Sequence, residues 1–257
     1  MLEETRLHRI QALLSTLNRV STEKIIQHLG VSRETVRRDI VKLEAAGVLR
    51  RVHGGIVATT QEPEPPLSIR NTVREKEKQA IARAAVQQLK AGQTLFIDSG
   101  STTSLLADEL LSMPGMTVIT NSLTVAQKLT SAESVAQHSV ILLGGYMGAS
   151  AVQATSGDIT INELERYRAD VALLSPVGVD AASGATSFAH HEAAIARSMV
   201  QHARTRIILA DHSKIGVTSR VVYATLQEID MVVTDASSAD KPELSLLQMH
   251  CQQVIVA

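Results

Sequence analysis

A proline-rich segment divides this chain of 257 residues into two regions. Residues 61–68 read Gln-Glu-Pro-Glu-Pro-Pro-Leu-Ser and hold three of the six prolines in the chain. Because proline fixes φ and removes a backbone donor, such a run favours a stiff, extended connection over a helix or a strand. We therefore predict a linker over residues 61–70, with one domain at 1–60 and another at 71–257. The alternative is a long surface loop within a single domain.

Charge is distributed unequally between the two regions. The whole chain has 25 Lys and Arg against 26 Asp and Glu, and its net charge of −1 argues, taken alone, against nucleic-acid binding. Residues 1–60 hold ten basic and six acidic side chains, a net charge of +4, whereas the remainder holds 15 and 20, a net charge of −5. The sequence therefore joins a basic module to an acidic one.

The basic region has the periodicity of three short helices. Apolar residues at three- and four-residue steps predict the first helix, and they are Leu7, Ile10, Leu13, Leu14 and Leu17. Ser21 is placed to cap a second helix that ends at Gly30, and Ser32 to cap a third over residues 33 to about 46. The short Gly-Val-Ser connection between the last two helices is typical of a helix-turn-helix.

The third helix has the pattern of a helix that enters a DNA groove. Val36, Ile40 and Leu43 share one face, which predicts packing against the first two helices. The basic side chains then face solvent, where arginines are able to pair with phosphates or with guanine. The alternative is that these basic side chains form an ordinary solvent-exposed helix face that does not bind DNA. We expect Asp39 to orient a neighbouring arginine within the protein rather than to contact DNA.

Residues 48–57 predict two short strands joined by a glycine-containing turn, which beside a groove-reading helix form a wing. The predicted DNA contacts of the helix and wing are Ser32, Arg33, Thr35, Arg37, Arg38, Lys42, Arg51 and His53. The region contains no Phe, Tyr or Trp, so stacking on single-stranded bases is not expected. Double-stranded DNA is the predicted partner.

These residues carry a family resemblance. Gly-Val-Ser-Arg-Glu-Thr-Val-Arg-Arg-Asp-Ile at residues 30–40, followed by Arg-Val-His-Gly-Gly at 51–55, resembles the DeoR family of bacterial repressors. The resemblance covers about the first 57 residues. It implies a winged helix-turn-helix domain that binds operator DNA.

The acidic region predicts an α/β domain. A charged and then alanine-rich stretch over residues 72–89 predicts a helix, and short apolar strands alternating with helices then predict a largely parallel sheet covered on both faces. The predicted strands are residues 94–97, 116–120, 140–143, 171–174, 206–210, 231–234 and 253–256. The predicted helices include residues 103–111, 123–130 and 193–202, with a further segment near Leu244.

Polar residues follow several of these strands, where ligands bind in parallel sheets. The run Asp-Ser-Gly-Ser-Thr-Thr at residues 98–103 follows a strand and opens a helix, so its amides and hydroxyls suit a phosphate. An ordinary strand-to-helix turn is the alternative. Thr-Asn-Ser at 120–122, Gly-Gly-Tyr at 144–146 and Asp-His-Ser-Lys at 211–214 add polar groups. Together they predict an anionic, polyhydroxylated ligand.

The acidic region also resembles the DeoR family's C-terminal effector domain, whose fold is similar to ribose-5-phosphate isomerase. The resemblance implies a phosphorylated sugar or related metabolite, with its phosphate at residues 100–103 and Lys214 as a second charge. The candidate effector-binding residues are Asp98, Ser99, Gly100, Ser101, Thr102, Thr103, Asn121, Ser122, Gly144, Gly145, Glu192 and Lys214.

Several other classes of protein are not expected. His190 and His191 are adjacent, and adjacent histidines diverge too far on a helix or a strand to chelate one ion. We predict no metal, no cofactor and, with Cys251 as the one cysteine, no intrachain disulfide. The apolar runs are too short to span a bilayer and residues 1–10 do not resemble a secretory signal, so we expect a cytoplasmic protein.

Two functions are compatible with these patterns. The first is a transcriptional regulator, expected to be a repressor of a carbohydrate-catabolism operon that a phosphorylated sugar releases from operator DNA. Because two such domains read paired half-sites, a homodimer or homotetramer is expected. The alternative is a sugar-phosphate isomerase or hydrolase that carries an accessory DNA-binding domain. Its chemistry would need Asp98, Glu192, Asp211 and Lys214.

Overall fold

A computed structural model describes residues 3–17, 19–46, 48–52, 54–58, 67–131, 137–147 and 153–257. The chain forms two compact units, which we call the head (Met1–Pro65) and the body (Pro66–Ala257). The linker predicted at 61–70 overlaps the first helix of the body, which begins at Leu67. Residues 61–66 lie outside the described part of the chain.

The head contains three helices and a three-stranded antiparallel sheet in the order β1-β3-β2. The helices are α1 (Glu3–Leu17), α2 (Thr22–Leu29) and α3 (Arg33–Ala45), and the strands are β1 (Arg19–Ser21), β2 (Leu49–Val52) and β3 (Gly55–Ala58). The predicted winged helix-turn-helix is confirmed. Strand β1 was not expected, because three residues are too few to show an alternating pattern.

Local signals place the ends of the head's helices. The Ser21 and Ser32 hydroxyls accept hydrogen bonds from the amides of Lys24 and Thr35, each over 3.2 Å, and so cap α2 and α3. Gly30 ends α2 with φ 62°, a left-handed conformation that suits glycine. The apolar faces of the three helices meet in one core that includes Ile10, Ile25, Val36, Leu49 and Ile56.

The body begins with α4 (Leu67–Thr72) and α5 (Glu75–Val86) and then alternates strands with helices. The strands that follow are β4 (Thr94–Ile97), β5 (Thr117–Thr120), β6 (Ser139–Leu142), β7 (Ala169–Leu174), β8 (Gly178–Asp180), β9 (Gly184–Ser187), β10 (Ala203–Leu209), β11 (Val221–Ala224), β12 (Met231–Thr234) and β13 (Gln253–Val256). The helices are α6 (Ser101–Leu110), α7 (Leu123–Leu129), α8 (Asp158–Leu164), α9 (His190–His202) and α10 (Pro242–His250).

Seven strands form a parallel sheet in the order β13-β12-β10-β7-β4-β5-β6, which confirms the predicted fold class. Helices α5, α6 and α7 cover one face, onto which Leu95 and Ile97 project, and α8, α9 and α10 pack on the face that receives Phe96. All three side chains are fully buried, and burial of each stabilises the fold by about 1.5–3 kcal/mol. Two apolar layers therefore hold the strand ends in place.

The strand order reverses beside β4. After β4 the chain adds β5 and then β6 on one side, and from β7 onward it adds β10, β12 and β13 on the other. The carboxyl ends of β4 and β7 therefore flank the switch point of the sheet. In open parallel sheets the crevice outside such a point is the usual place for a ligand.

Three parts of the body depart from the sequence expectations. Helix α8 and an antiparallel sheet in the order β11-β9-β8 occupy stretches for which no element was predicted. The helix predicted over 72–89 begins at Glu75, because Arg74 interrupts it with φ 54°.

The one cysteine of the chain, Cys251, is buried after α10. Its Sγ atom hydrogen-bonds to the Gln253 carbonyl oxygen over 3.4 Å.

Candidate functional site

The α3 helix buries one face and exposes the opposite one. Val36, Ile40 and Leu43 are at most 5% exposed and face the core of the head. The predicted DNA contacts Arg33, Arg37, Arg38 and Lys42 all lie on the solvent side. An apolar back that fixes the pose of the helix and a cationic front are the two requirements of a groove-reading helix.

The exposed cations of α3 have only weak partners within the protein. Arg33 lies 3.3 Å from Glu23, Arg37 4.0 Å from Glu34, and Lys42 2.6 Å from Glu3, and all six side chains are at least half exposed. Ion pairs at such exposure contribute about 0–1 kcal/mol, so exchanging a carboxylate for a phosphate costs little. Within the described residues, Arg38 has no ion pair at all.

Ser32 and Thr35 have a structural role at the start of α3. Besides the cap, their hydroxyl oxygens lie 2.8 Å apart in a mutual hydrogen bond, and Ser32 is exposed. Asp39 is buried and accepts two hydrogen bonds from Arg6 of α1, over 2.7 and 3.0 Å. The internal role predicted for Asp39 is therefore confirmed, and its partner arginine comes from another helix.

The wing is anchored to α3. Arg51 donates from Nε to Glu44 over 2.5 Å and from its amide over 3.1 Å, and the amide bond is the main cause that lowers the pKa of the Glu44 carboxyl. A Cβ on Gly55 would lie 2.3 Å from the Val20 carbonyl oxygen, so glycine permits the pairing with β1. Arg50 is exposed on β2 and is a further cation that the sequence reasoning missed. His53 lies outside the described residues.

In the body, polar residues end four neighbouring strands. Asn121 follows β5, Asp98 follows β4, Ser175 follows β7, and Asp211 lies two residues after β10. The Ser175 amide donates to the Asp98 carboxylate over 2.8 Å, so a hydrogen bond links the ends of β7 and β4 at the switch point. We call these strand ends, together with the start of α6, the strand-end site.

The N-terminus of α6 adds free donors to the strand-end site. Gly100 is the N-cap residue and provides no side-chain cap, so the first amides of the helix have no intrahelical acceptor. A Cβ on Gly100 would lie 3.1 Å from the Ser175 Cβ, so glycine allows this close approach. Thr103 donates its hydroxyl to the Gly100 carbonyl over 3.1 Å, whereas the buried Thr102 hydroxyl has no partner within the described ranges. Ser101 is also buried here, and Ser99 is half-buried.

Three buried acceptor oxygens in the strand-end site have no donor among the residues that the structure describes. They are Asp98 Oδ1, Asn121 Oδ1 and Asp211 Oδ2. A buried acceptor left unpaired costs about 1–3 kcal/mol, so such groups are normally bonded. Burial is also the main cause that raises the pKa of Asp98 to about 7, against the opposing effects of the Ser175 amide and the Lys214 charge.

Cations surround Asp211 at the same edge. Lys214 is 9% exposed and donates to the Pro176 carbonyl oxygen, and Arg74 donates from Nε to Asp211 Oδ1 over 3.0 Å. The charges of Lys214 and Arg74 hold the pKa of Asp211 below its usual value despite burial. Burial, followed by the charge of Lys214, lowers the pKa of Lys78 to about 8. Arg74 and Lys78 were not predicted, because cations near a helix start ordinarily face solvent.

The remaining predicted effector residues divide into two groups. Glu192 is half-buried on α9, accepts from the Ser187 hydroxyl over 3.3 Å, and its charge acts on Asp98. The others serve local structure: Ser122 caps α7, and Gly144 donates from its amide to Glu163 over 2.6 Å. A Cβ on Gly145 would lie 2.0 Å from the Thr160 hydroxyl, so this glycine lets the loop pack on α8.

Comparison with known families accounts for both units. A profile described as "DeoR-like helix-turn-helix domain" matches residues 6–62, and one described as "DeoR C terminal sensor domain" matches residues 73–236. The chain belongs to the DeoR family. The resemblance inferred from the motifs at 30–40 and 51–55 is thereby confirmed, and the body of this DeoR-family chain corresponds to a sensor domain.

Relatives in the DeoR family are similar to this chain over nearly their whole length. The glycerol-3-phosphate regulon repressor of Escherichia coli (strain K12) is 31% identical over 96% of each chain. The HTH-type transcriptional repressor GlcR of Bacillus subtilis (strain 168) is 36% identical over 91% of this chain and 89% of its own. The lactose phosphotransferase system repressor of Staphylococcus epidermidis is 33% identical over 93% and 94%.

Similarity to solved structures is weak. Ribose 5-phosphate isomerase A of Methanocaldococcus jannaschii is 16% identical, with a TM-score of 0.38 over 55% of this chain and 54% of that one. The eIF2B beta chain of Chaetomium thermophilum is 13% identical, with a TM-score of 0.45 over 78% and 52%.

Among the helices in the described ranges, none has the length and apolar character needed to cross a bilayer.

Proposed function

We propose that this DeoR-family chain is a transcriptional repressor of a carbohydrate-catabolism operon, released from operator DNA by a phosphorylated sugar or polyol. The observation that carries the DNA-binding half is α3, which buries its apolar face and leaves four cations exposed. Such a regulator acts in the cytoplasm, where its operator is. The named relatives regulate glycerol-3-phosphate and sugar regulons, which agrees with this class of effector.

The head is proposed to bind duplex DNA with α3 in the major groove and the wing on the adjacent backbone. Arg37 and Arg38 are the proposed base or phosphate contacts, and Arg33, Lys42 and Arg51 exchange their carboxylate partners for phosphates. His53 is retained as a proposed wing contact. Because a single small head covers limited DNA, we propose that two copies bind paired half-sites as a homodimer or as half of a homotetramer.

The strand-end site is proposed to bind the effector. Its three acceptors on Asp98, Asn121 and Asp211, which have no donor among the described residues, suit a ligand with several hydroxyl donors. The free amides of α6, the Thr102 hydroxyl and the Lys214 ammonium suit a phosphate group. We propose that Ser99, Ser101, Thr103 and Glu192 line the same site, while Ser122, Gly144 and Gly145 shape its rim.

A thermal-shift screen of phosphorylated sugars, polyol phosphates and sugar acids tests this assignment. A ligand at about 100 times its Kd stabilises the folded state by about 2.7 kcal/mol. For a body of this size we expect the best compound to raise Tm by roughly 5–10 °C. Lys214→Met should abolish most of that increase, whereas Lys90→Met, which removes an exposed lysine after α5, should leave it unchanged. Equal increases in both variants would contradict the assignment.

A second candidate function follows from one observation. The Asp98 carboxyl has a pKa raised to about 7 and lies beside the Lys214 charge, an arrangement suited to general acid–base chemistry on a sugar phosphate. If the protein is an enzyme, the purified protein should turn over a sugar phosphate, and Asp98→Ala or Lys214→Ala should abolish that turnover. We favour the repressor, because the named relatives are repressors.

The raised pKa of Asp98 predicts a pH-dependent stability. Folding keeps this carboxyl protonated up to about pH 7, whereas an unfolded carboxyl loses its proton near 3.8, so the contribution of Asp98 falls as pH rises between these values. Asp98→Asn removes the effect and retains an oxygen for the Ser175 amide. The stability gained by the variant should be about 2–3 kcal/mol larger at pH 8 than at pH 5. Denaturant unfolding of the variant and the wild type at pH 5 and pH 8 measures this difference in the free energy of unfolding. A gain that is the same at both pH values would contradict the prediction.

A further inference from the structure

The segment by which the chain enters the body is attached to the strand-end site. Helix α4 contacts α6, whose N-terminus forms part of that site. Lys78 is 3% exposed and donates from Nζ to the Arg70 carbonyl oxygen in the last turn of α4, over 2.6 Å. The charges of Lys214 and Asp211 also act on the pKa of Lys78. Residues 67–78, which we call the entry segment, are therefore tied to the site by packing and by charge.

Arg74 occupies a costly backbone conformation within the entry segment. With φ 54° and ψ 40°, it is the non-glycine residue with positive φ in the described part of the chain. In this region Cβ of an L-residue crowds the following carbonyl, so the conformation persists only where tertiary contacts impose it. The visible contact is the hydrogen-bonded ion pair from Arg74 Nε to Asp211 Oδ1, which joins residues 137 positions apart.

Asp211 is part of the strand-end site and is also the residue with which Arg74 of the entry segment pairs. Its Oδ1 atom accepts from Arg74 and also from the Ser213 amide and hydroxyl, whereas its buried Oδ2 atom has no partner in the described part of the chain. The Asp211 side chain is 1% exposed and that of Arg74 is 30% exposed. A ligand hydroxyl that donates to Asp211 Oδ2 draws negative charge away from Oδ1 and so weakens the pair with Arg74, whereas a phosphate that attracts Arg74 competes with the pair directly.

We propose that Arg74 is a positioning residue that couples the strand-end site to the entry segment, and through it to the head. The Arg74–Asp211 pair holds the turn between α4 and α5 in the DNA-competent state, and an anionic polyol weakens that pair when it binds. The effector's part in this coupling rests on the proposed function. Loss of Arg74 should then mimic the effector, because linkage requires a ligand to favour one of two states.

The test compares two asparagine variants of the full chain. Arg74→Asn removes the charge but tolerates the left-handed conformation, so backbone strain does not confound the result. Arg83→Asn is the matched control, since Arg83 lies on α5 and forms an exposed ion pair with Glu109 of α6 over 3.2 Å. Arg74→Lys restores a cation and should recover part of the wild-type behaviour. Circular dichroism checks that each variant is folded.

Hydrogen exchange is the first measurement and requires neither DNA nor effector. We expect amides of residues 67–74 to exchange at least tenfold faster in Arg74→Asn than in the wild type, with Arg83→Asn unchanged. The second measurement is affinity for a DNA fragment that the wild-type protein selects from a random pool. Arg74→Asn should weaken this affinity at least tenfold without any added ligand, whereas Arg83→Asn should stay within twofold.

Each failure has a separate meaning. Unchanged exchange at residues 67–74, or an Arg74→Asn affinity equal to that of Arg83→Asn, would overturn the coupling role of Arg74. A wild-type protein that selects no DNA would overturn the proposed function instead, and the exchange result would still decide whether Arg74 holds the entry segment.

Discussion

Replacing both Arg37 and Arg38 by alanine is expected to weaken operator binding by well over tenfold at fixed salt. Each arginine that pairs with a guanine edge supplies about 1–3 kcal/mol of discrimination. Both side chains are exposed on α3, and within the described residues Arg37 has one weak ion pair and Arg38 has none. Removing both side chains therefore breaks one weak ion pair among the described residues of the head.

Fluorescence anisotropy with labelled operator measures this loss, and a salt series separates two kinds of contact. A lost phosphate contact lowers the slope of log K against log salt by about one and weakens binding to all sequences, whereas a lost base contact relaxes specificity at one position. Lys90→Ala in the body removes one exposed charge and is the control. An affinity equal to that of the control would refute the assignment of α3 as the recognition helix.

Thr102→Val is expected to shift effector-triggered release to roughly 10- to 100-fold higher effector concentration while leaving operator binding intact. The Thr102 hydroxyl is buried and has no partner among the described residues, so its replacement by a methyl group breaks no hydrogen bond to any of them. A hydrogen bond to a charged phosphate contributes about 1.5–3 kcal/mol, which corresponds to a loss of effector affinity of roughly 10- to 100-fold. Titration calorimetry with the best compound from the thermal-shift screen measures it.

Thr103→Val is the contrasting variant at the adjacent position. Its hydroxyl is already bonded to the Gly100 carbonyl, which also accepts from the Ser104 amide. The loss should cost about 0.5–1.5 kcal/mol of stability, seen as a Tm lowered by a few degrees. The two variants thus compare the loss of a hydroxyl that is open to a ligand with the loss of one that is already bonded within the protein. Undiminished release in Thr102→Val would count against a phosphate at the start of α6.

The parallel sheet could be predicted from the sequence because its strands are buried on both faces. Segments such as Thr94–Ile97 and Met231–Thr234 are short apolar runs between polar turns, and all seven strands predicted in this way pair in the sheet. The polar residues that follow them could be assigned to one edge by topology alone. Their exact partners, such as Ser175 for Asp98, lie 77 positions apart and leave no local signal.

The elements that were missed are set by tertiary contacts or are too short to show a period. Strand β8 has three residues, and its turn into β9 rests on Asp180, which accepts from the amides of Ala182 and Ser183, each over 2.7 Å. Gly184, at φ 75°, follows that turn, so an Asp and a Gly four residues apart were the available signal. Nothing local distinguishes Arg74, whose conformation depends on a carboxylate far along the chain.

Charge also shows how local and whole-chain properties differ. The net charge of −1 concealed a net charge of +4 over residues 1–60, and this excess is modest for a DNA-binding domain. Specific contacts by α3 and binding by paired heads must therefore supplement the general attraction to phosphates. In the body, an acidic average conceals the cations Arg74, Lys78 and Lys214 around the strand-end site, where an anion is proposed to bind.

We propose that this chain couples operator binding in the head to ligand binding at the strand-end site of the body. The most direct measurement titrates the operator complex of the wild-type protein with the compound that gives the largest thermal shift, and follows DNA release by anisotropy. We expect operator affinity to fall about 5- to 150-fold at saturation, the usual range of allosteric coupling, and operator DNA to lower the affinity for the compound by the same factor. A compound that binds the body while operator affinity stays constant would contradict the account.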